Sequence, residues 1–181
     1  KQKTAYEITR WLEFRRVLFR SLRISPLMKE HRNQLKDTVI WNAEQGLDIT
    51  GPQLARAEAK RTEIYHRMRE FMSRYEFFVL PVNQVVPFSV DLDYPREINE
   101  VKMETYIDWQ KTAYFISAMG NPAISVPAGF TDSGLPVGVQ IVGGHRQDLA
   151  VLQMAYAFEQ ATRFGERRPP ICRNWFMPKF M

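Results

Sequence analysis

Residues 120–144 read GNPAISVPAGFTDSGLPVGVQIVGG and contain two short apolar runs separated by a loop rich in Gly, Ser, Asp and Pro. The runs, residues 123–128 and 137–142, have the length and the Val/Ile content of strands. Each is apolar enough to be covered on both faces of a sheet. Pro122 and Pro127 bracket the first run and mark its two ends, because proline has no N–H to donate to a central ladder. The segment predicts two buried strands.

A helix is predicted directly after the second strand. Residues 149–164 read LAVLQMAYAFEQATRF, and their apolar positions recur at helical spacing. Asp148 precedes them and is the candidate N-cap. A strand, a loop, a strand and a helix together form a buried α/β unit.

Three further helices are predicted upstream of this unit. The first covers residues 25–44, with Pro26 in its first turn and Gly46 as its stop. The second follows Thr-Gly-Pro and runs about six turns over residues 53–75, with an apolar stripe on one side and Arg and Glu on the others. The third covers residues 104–119 and leads the chain to the first strand.

One more strand lies between these helices. FFVLP, residues 77–81, is short and apolar, which is typical of a buried strand. A helix followed by a buried strand is typical of a parallel or mixed α/β sheet. Residues 82–100 contain two prolines and several turn formers and predict a long loop, of the kind that in α/β sheets often borders a ligand. Residues 165–181 predict an irregular tail.

Composition excludes several classes of protein. The chain has 181 residues, enough for one core, and its hydrophobic fraction of 45% is that of an ordinary globular domain. One cysteine, Cys172, excludes an intramolecular disulfide framework and fits a reducing compartment. No apolar run reaches the roughly 18 residues that span a bilayer. We therefore expect a cytoplasmic protein with no membrane partner.

The net charge of +5 is uneven along the chain. Most of it lies in residues 1–21, and the rest is close to neutral, so no nucleic-acid surface is predicted. Residues 12–21, LEFRRVLFRS, resemble the in-frame translation of a common sequencing adapter. Residues 1–21 are therefore interpreted as a non-native or disordered leader, with authentic sequence resuming near Leu22. The alternative is a basic amphipathic helix, since four apolar side chains fall on one helical face: Trp11, Phe14, Val17 and Leu18.

Three motifs in order, NPAISVPAGF, GLPVGVQIVG and AYAFEQ, resemble the C-terminal part of amidase signature family enzymes. The resemblance extends less sharply to FFVLP and to WNAEQG at residues 41–46, and covers residues 22–171. It implies an α/β fold with a partial mixed sheet flanked by helices, a C-terminal fragment of the family fold. Residues 172–181 would be an irregular tail. It also implies a serine hydrolase that cleaves a carboxylic amide to an acid and ammonia or an amine, without metal or cofactor.

The catalytic residues of that family have no counterpart in this sequence. The family uses a Ser, a second Ser in a cis peptide and a Lys, and a Gly/Ser-rich segment supplies both serines. Here the serines occur singly, outside any Gly-x-Ser-x-Gly elbow, at positions 21, 25, 73, 89, 117, 125 and 133. Ser125 is interpreted as a small residue inside a strand. No catalytic residue is assigned, and we expect the fragment to be inactive.

Metal and thiol chemistry are not predicted either. His31, His66 and His145 show no ligand spacing, so no metal site is assigned. Cys172 lies in a Pro/Arg-rich tail without a paired histidine and is interpreted as a spare thiol.

Part of a substrate pocket is the site that the resemblance does imply. In family members the helix before the NPAISVP-like motif borders the acyl-binding cavity. On this chain that points to Trp109, Ala113, Ile116 and Ser117, with residues 85–94 as a lid. The alternative is that these side chains belong to the core.

Two other functions stay open. The chain is also compatible with the A subunit of a tRNA-dependent amidotransferase, which shares the family and would bind a B-type partner and tRNA. It is further compatible with a non-catalytic binding module that folds alone. The partner of the complete enzyme is a small-molecule amide, and a homodimer is possible. A partial sheet would leave a strand edge exposed.

Overall fold

The computed structural model of this protein describes residues 21–167, and it has the predicted α/β class. The chain is helical over residues 21–30 (α1). The remaining elements are, in order, α2 (Asp37–Leu47), α3 (Gly51–Met72), β1 (Phe77–Pro81), β2 (Glu97–Ile98), β3 (Val101–Lys102), α4 (Lys111–Met119), β4 (Ala123–Phe130), β5 (Pro136–Gly143) and α5 (Asp148–Thr162).

Three strands form the main sheet, in the order β1-β5-β4. The mixed pairing predicted from the sequence is wrong for the described residues, because β5 runs antiparallel to both of its neighbours. For β4 and β5 the physical reason is the connection, because they are joined by a short loop and a parallel pair needs a long crossover. The strands β2 and β3 form a separate small hairpin; β2 lies at the end of the predicted long loop, and β3 follows directly after it.

The first predicted strand, β4, differs from the prediction in two ways. It continues past Pro127 to Phe130 through an irregularity between Pro127 and Gly129, where the register with β5 shifts. Proline is compatible with such a bulge at a sheet edge. Ala123 and Ser125 are exposed on one side while Val126 is buried on the other, so β4 is covered on one face only.

Helices pack on both faces of the central strand β5, as the fold class implies. On one face α5 packs through a buried cluster made by Val126, Ile141 and Ala155. On the other face α3 and α4 contribute Met68 and Ile116, which contact Val142 of β5. The central strand β5 is therefore buried between two helical layers.

The strand β1 is an outer strand, not the buried central strand predicted. Phe77 and Phe78 are half-buried against opposite clusters, but the side chain of Val79 is 48% exposed. The composition FFVLP predicts the strand itself correctly and says nothing about how many neighbours it has.

The single helix predicted over residues 25–44 is two helices. Between α1 and α2 the chain forms a 3-10 turn, Arg32–Gln34, and α2 begins after Lys36. Across this corner Arg32 forms an exposed ion pair of 2.7 Å with the carboxylate of Glu44. Gly46, the predicted stop, lies buried inside α2.

Two helix starts also differ from the sequence prediction. The helix α4 begins at Lys111 rather than residue 104, because the Asp108 carboxylate accepts hydrogen bonds from the backbone N–H and the hydroxyl of Thr105 and forms a turn there. At α5 the N-cap is Gln147, and Asp148 is the first helical residue.

The helix α3 begins at Gly51, slightly before the predicted residue 53, and its capping gives a test of the fold. Thr50 and Gln53 form a reciprocal capping box, in which the Thr50 hydroxyl accepts from the Gln53 N–H and the Gln53 side chain accepts from the Thr50 N–H. We expect Thr50→Ala to lower the free energy of unfolding by about 1 kcal/mol, measured by urea denaturation. The matched control is Thr62→Ala within the same helix, where alanine raises helix propensity. Equal losses for the two variants would contradict the capping role.

The predicted leader lies almost wholly outside the described residues. Its last residue, Ser21, is buried and donates a hydrogen bond of 2.6 Å to the carbonyl of Ala43. The adapter interpretation of residues 12–21 stays a prediction, and Cys172 and the tail at 172–181 also lie outside the description.

Candidate functional site

Three hydrogen bonds join the N-terminus of α4 to residues outside the helix. Gln84, after β1, accepts from the backbone N–H of Lys111 at 3.0 Å. The Thr112 hydroxyl donates to the carbonyl of Val82 at 2.6 Å. Gln140 of β5 donates to the carbonyl of Thr112 at 3.0 Å. The first turn of α4, the predicted pocket helix, is therefore bound to the residues that directly follow β1.

Gln140 is the buried polar residue of this junction, at 6% exposure. Its amide nitrogen donates to the carbonyl of Pro81 at 3.3 Å as well as to Thr112. One side chain thus joins β1, β5 and α4. In the sequence Gln140 reads as one polar residue within an apolar strand, and only its neighbours in space show what it binds.

The four predicted pocket residues lie in different environments. Trp109 makes an edge-to-face contact with Phe88, with ring centroids 5.3 Å apart, and Ala113 is half-buried. Ile116 is 4% exposed and packs in the core cluster with Met68 and Val142. Ser117 is exposed and donates to the carbonyl of Ala113. Ile116 is thus a core residue, and a role of the other three in substrate binding stays a prediction.

The loop between β1 and β2 carries an exposed apolar row. Its apolar side chains occur at every second position of a stretch that is exposed throughout, and Val90 is 97% exposed. The row consists of Val86, Phe88, Val90 and Leu92. The loop is held at two places, by the Phe88–Trp109 contact and by an ion pair of 2.9 Å between Lys36 and Asp93. It is therefore tied both to the start of α2 and to the start of α4.

The ion pair between Lys36 and Asp93 shifts the pKa of both groups. A side-chain hydrogen bond and charge attraction from Lys36 hold the pKa of Asp93 below its usual value. The same two interactions raise the pKa of Lys36. A carboxyl whose folded pKa is lowered stabilises the fold above its unfolded pKa, and that contribution is lost as the pH falls through the folded pKa.

We therefore expect the loop to loosen at acidic pH, and Asp93→Asn to loosen it at neutral pH. Amide exchange within residues 85–94, corrected for the intrinsic rate, should rise by about threefold in Asp93→Asn and lose its acid dependence. The matched control is Glu63→Gln, which breaks an exposed pair with Lys60 on α3. Unchanged exchange in Asp93→Asn would show that the ion pair does not hold the loop.

Asn42 is a functional candidate that the sequence reasoning missed. It is fully buried on α2, and its amide nitrogen donates to the Tyr106 hydroxyl and to the carbonyl of Thr38. Its side-chain oxygen has no hydrogen-bond partner within the described residues. The only signal in the sequence is an asparagine between Trp41 and Ala43, at a buried helical position.

Four of the serine hydroxyls form local hydrogen bonds. Ser25, Ser73 and Ser117 donate to backbone carbonyls within the preceding turn. Ser89 donates to Asp91 and accepts from its N–H, as in an ordinary polar turn. Ser125 lies in β4 opposite Gln140, which confirms its placement inside a strand. None of these five hydroxyls is shown against a lysine or histidine base.

The structure brings two of the three histidines together. Tyr65 lies between His66 and His145, with ring centroids 5.5 Å from each, and a His145 ring nitrogen is 3.4 Å from the carbonyl of Gly120. Over residues 21–167, no group of three His, Cys, Asp or Glu side chains is arranged to hold a metal ion. In the same range no helix is both long and apolar enough to cross a bilayer.

Residues 20–152 match the protein family described as Amidase. The chain is similar to an acylamidase of Rhodococcus erythropolis, with 32% identity over 142 residues that cover 78% of this chain and 30% of the acylamidase. It is also similar to the A subunit of glutamyl-tRNA(Gln) amidotransferase from Geobacillus kaustophilus, with 34% identity over 114 residues, 63% of this chain and 22% of that relative. The chain therefore spans less than a third of either relative.

Solved structures show the same relationship. A bacterial aryl acylamidase of the amidase signature enzymes superposes with a TM-score of 0.78 at 25% identity, covering 91% of this chain and 37% of that one. A 6-aminohexanoate cyclic dimer hydrolase shares the fold, with a TM-score of 0.70 at 18% identity over 86% of this chain and 35% of that one. The match over residues 20–152, the acylamidase similarity and the common fold agree, and the chain belongs to the amidase signature family.

Proposed function

We propose that this chain supplies the C-terminal part of a serine amidohydrolase, which cleaves a carboxylic amide to an acid and ammonia or an amine. The family match over residues 20–152 carries this proposal. The acylamidase similarity, which extends over 78% of the chain, supports an amide as the substrate.

In this reaction the chain would not supply the catalytic residues. Amide hydrolysis by serine needs an activated hydroxyl, a proton shuttle and donors for the developing oxyanion. The family's Ser, second Ser and Lys come from a part of the enzyme that has no counterpart in residues 1–181. The acyl-enzyme would therefore form on a Ser that this chain lacks, and the chain alone would be inactive.

The contribution of this chain to the complete enzyme would be one wall of the substrate pocket. Trp109, Ala113 and Ser117 are the candidate lining residues, and residues 85–94 would close over the bound amide. The hydrogen bonds that Gln84 accepts from Lys111 and that Gln140 donates to Thr112 support this role, because they fix the first turn of the helix that carries those side chains. The proposed reaction needs no metal or cofactor, and we place the enzyme in the cytoplasm.

Two measurements test the proposal. Purified residues 1–181 should not hydrolyse p-nitroacetanilide above a buffer control. A chimera, in which this chain replaces the matching part of the bacterial aryl acylamidase, should release p-nitroaniline. Its control is the same chimera with the acylamidase nucleophile changed from Ser to Ala. Hydrolysis by the chain alone, or a folded chimera without activity, would contradict the proposal.

A second candidate function is the A subunit of a tRNA-dependent amidotransferase. The observation that favours it is the 50% identity over 56 residues to the A subunit of glutamyl-tRNA(Gln) amidotransferase from Synechococcus, a match that covers 31% of this chain. Co-purification of the chimera with a B-type partner would favour this candidate. A chimera that hydrolyses anilides and binds no such partner would favour the amidohydrolase.

A further inference from the structure

Asn42 of α2 is fully buried and uses only part of its hydrogen-bonding capacity. Its amide nitrogen donates to the Tyr106 hydroxyl and to the carbonyl of Thr38, and its oxygen has no partner within residues 21–167. A buried amide that keeps an unpaired oxygen costs stability. Leucine would fill the same space without that cost, so packing alone does not account for an asparagine at this position.

The bond from Asn42 to Tyr106 joins two separate parts of the chain. The Thr38 carbonyl lies one turn earlier in α2 itself, so the bond to it adds no tertiary contact. Tyr106 lies 64 residues further along, in the segment between β3 and α4. Its ring also meets the ring of Trp41 edge to face, with centroids 6.1 Å apart. The helix α2 therefore holds Tyr106 at both its hydroxyl and its ring.

Two overlapping turns connect Tyr106 to Trp109. Residues 105–108 form the first turn, which is closed by a hydrogen bond of 3.2 Å from the last N–H to the first carbonyl. Residues 107–110 form the second turn in the same way, with a distance of 2.9 Å. Neither turn contains a glycine. The position of Tyr106 therefore helps to set that of Trp109.

The ring partner of Trp109 is tied to the same helix. Trp109 meets Phe88 edge to face at 5.3 Å, and both side chains remain partly exposed. Phe88 belongs to the loop between β1 and β2, and Asp93 of that loop pairs with Lys36 at the start of α2. The two rings thus form an accessible apolar surface, and both of the segments that carry them are bound to α2.

We propose that Asn42 is a positioning residue, which acts through the Tyr106 hydroxyl to hold the Trp109–Phe88 ring pair as the surface for an apolar acyl group of the substrate. This inference rests on the proposed function, in which Trp109 lines the pocket and the loop with Phe88 closes over the amide. Aromatic side chains in ligand pockets supply apolar surface of defined shape. Displacing Trp109 should therefore affect a bulky aromatic acyl group more than an acetyl group.

Three variants separate the donor, the acceptor and the helix. Asn42→Leu fills the space and removes the donor, Tyr106→Phe removes only the hydroxyl, and Gln45→Ala is the matched control that removes an exposed amide from α2. Residues 1–181 are labelled with fluorotryptophan, and Trp109→Phe assigns the Trp109 resonance. We expect this resonance to shift or broaden in Asn42→Leu and Tyr106→Phe and to stay in place in Gln45→Ala.

Circular dichroism and a thermal melt show which variants fold. If Asn42→Leu does not fold, Tyr106→Phe decides, because it leaves α2 unchanged. A Trp109 resonance that is the same in the wild type and in each folded variant would overturn the proposal.

The chimera with the aryl acylamidase gives the second readout, on the p-nitroanilides of acetic and phenylacetic acid. In Asn42→Leu and in Tyr106→Phe, KM for the phenylacetyl anilide should rise by about tenfold, and KM for the acetyl anilide should change by less than about twofold. The double variant should be no weaker than either single variant, since both remove the same bond. A merely structural loss would instead lower the rates on both anilides by the same factor.

Equal losses on the two anilides would therefore contradict the proposal. A folded chimera that hydrolyses neither anilide would contradict the proposed function instead. The fluorine spectrum of the chain alone would then still decide whether Asn42 positions Trp109.

Discussion

Gln140→Ala should lower the free energy of unfolding by about 3 kcal/mol. The substitution removes a buried amide whose nitrogen donates to the carbonyls of Thr112 and Pro81, at 3.0 and 3.3 Å. Both carbonyls would lose this partner, and the space left by the side chain would lie next to the core. The loss would also release the first turn of α4 from β5.

Urea denaturation followed by circular dichroism measures this effect. The matched control is Gln153→Ala, which removes the same side chain from an exposed position on α5 and should change stability by less than about 0.5 kcal/mol. Gln140→Leu separates the two contributions, because it fills the space and still leaves the carbonyls without their donor. A loss in Gln140→Ala no larger than the control would show that the junction does not depend on this side chain.

Gly143→Ala should destabilise the protein by a similar amount, about 3 kcal/mol. Gly143 ends β5 directly beneath α5, and a β-carbon there would collide with a methyl group of Val151. Val151 is buried and has a branched, stiff side chain, so the helix itself would have to move. Gly144→Ala is the matched control, because the nearest atoms there are the flexible end of Gln147.

A double-mutant cycle tests the cause of this loss. If the collision with Val151 is responsible, Gly143→Ala combined with Val151→Ala should cost about 2 kcal/mol less than the sum of the single variants. Additive losses would locate the strain elsewhere. A Gly144→Ala variant as unstable as Gly143→Ala would contradict the contact with Val151.

The parts of the fold that the sequence predicts correctly are those coded by local pattern. The start of α3, marked by Thr-Gly-Pro, and the two Val/Ile-rich runs of the hairpin carry their signals within a few residues. The break between α1 and α2 has no such signal, because no proline or glycine marks it. Arg32 and Glu44 pair across it, 12 residues apart, a contact that only the folded chain shows.

The candidate site was predictable to a smaller degree. The helix that carries Ala113 and Ser117 is present, but helical spacing does not distinguish a core face from a pocket face, and Ile116 lies in the core. Asn42 and Gln140 were missed because a polar residue inside an apolar run shows its role only through the groups it meets. The antiparallel direction of β1 was missed as well, because its partner strand β5 lies far away in the sequence and no local pattern shows which way the two strands run.

That long separation has a consequence for the order of folding. The strands β4 and β5 and the helix α5 follow one another closely, so their contacts close short loops, whereas Val79 reaches Ile141 only after the intervening helix and long loop are arranged. Because closing a longer loop costs more chain entropy, we expect the β4–β5–α5 unit to form first and β1 to add last. In refolding monitored by pulsed amide exchange, Ile141 should gain protection before Leu80.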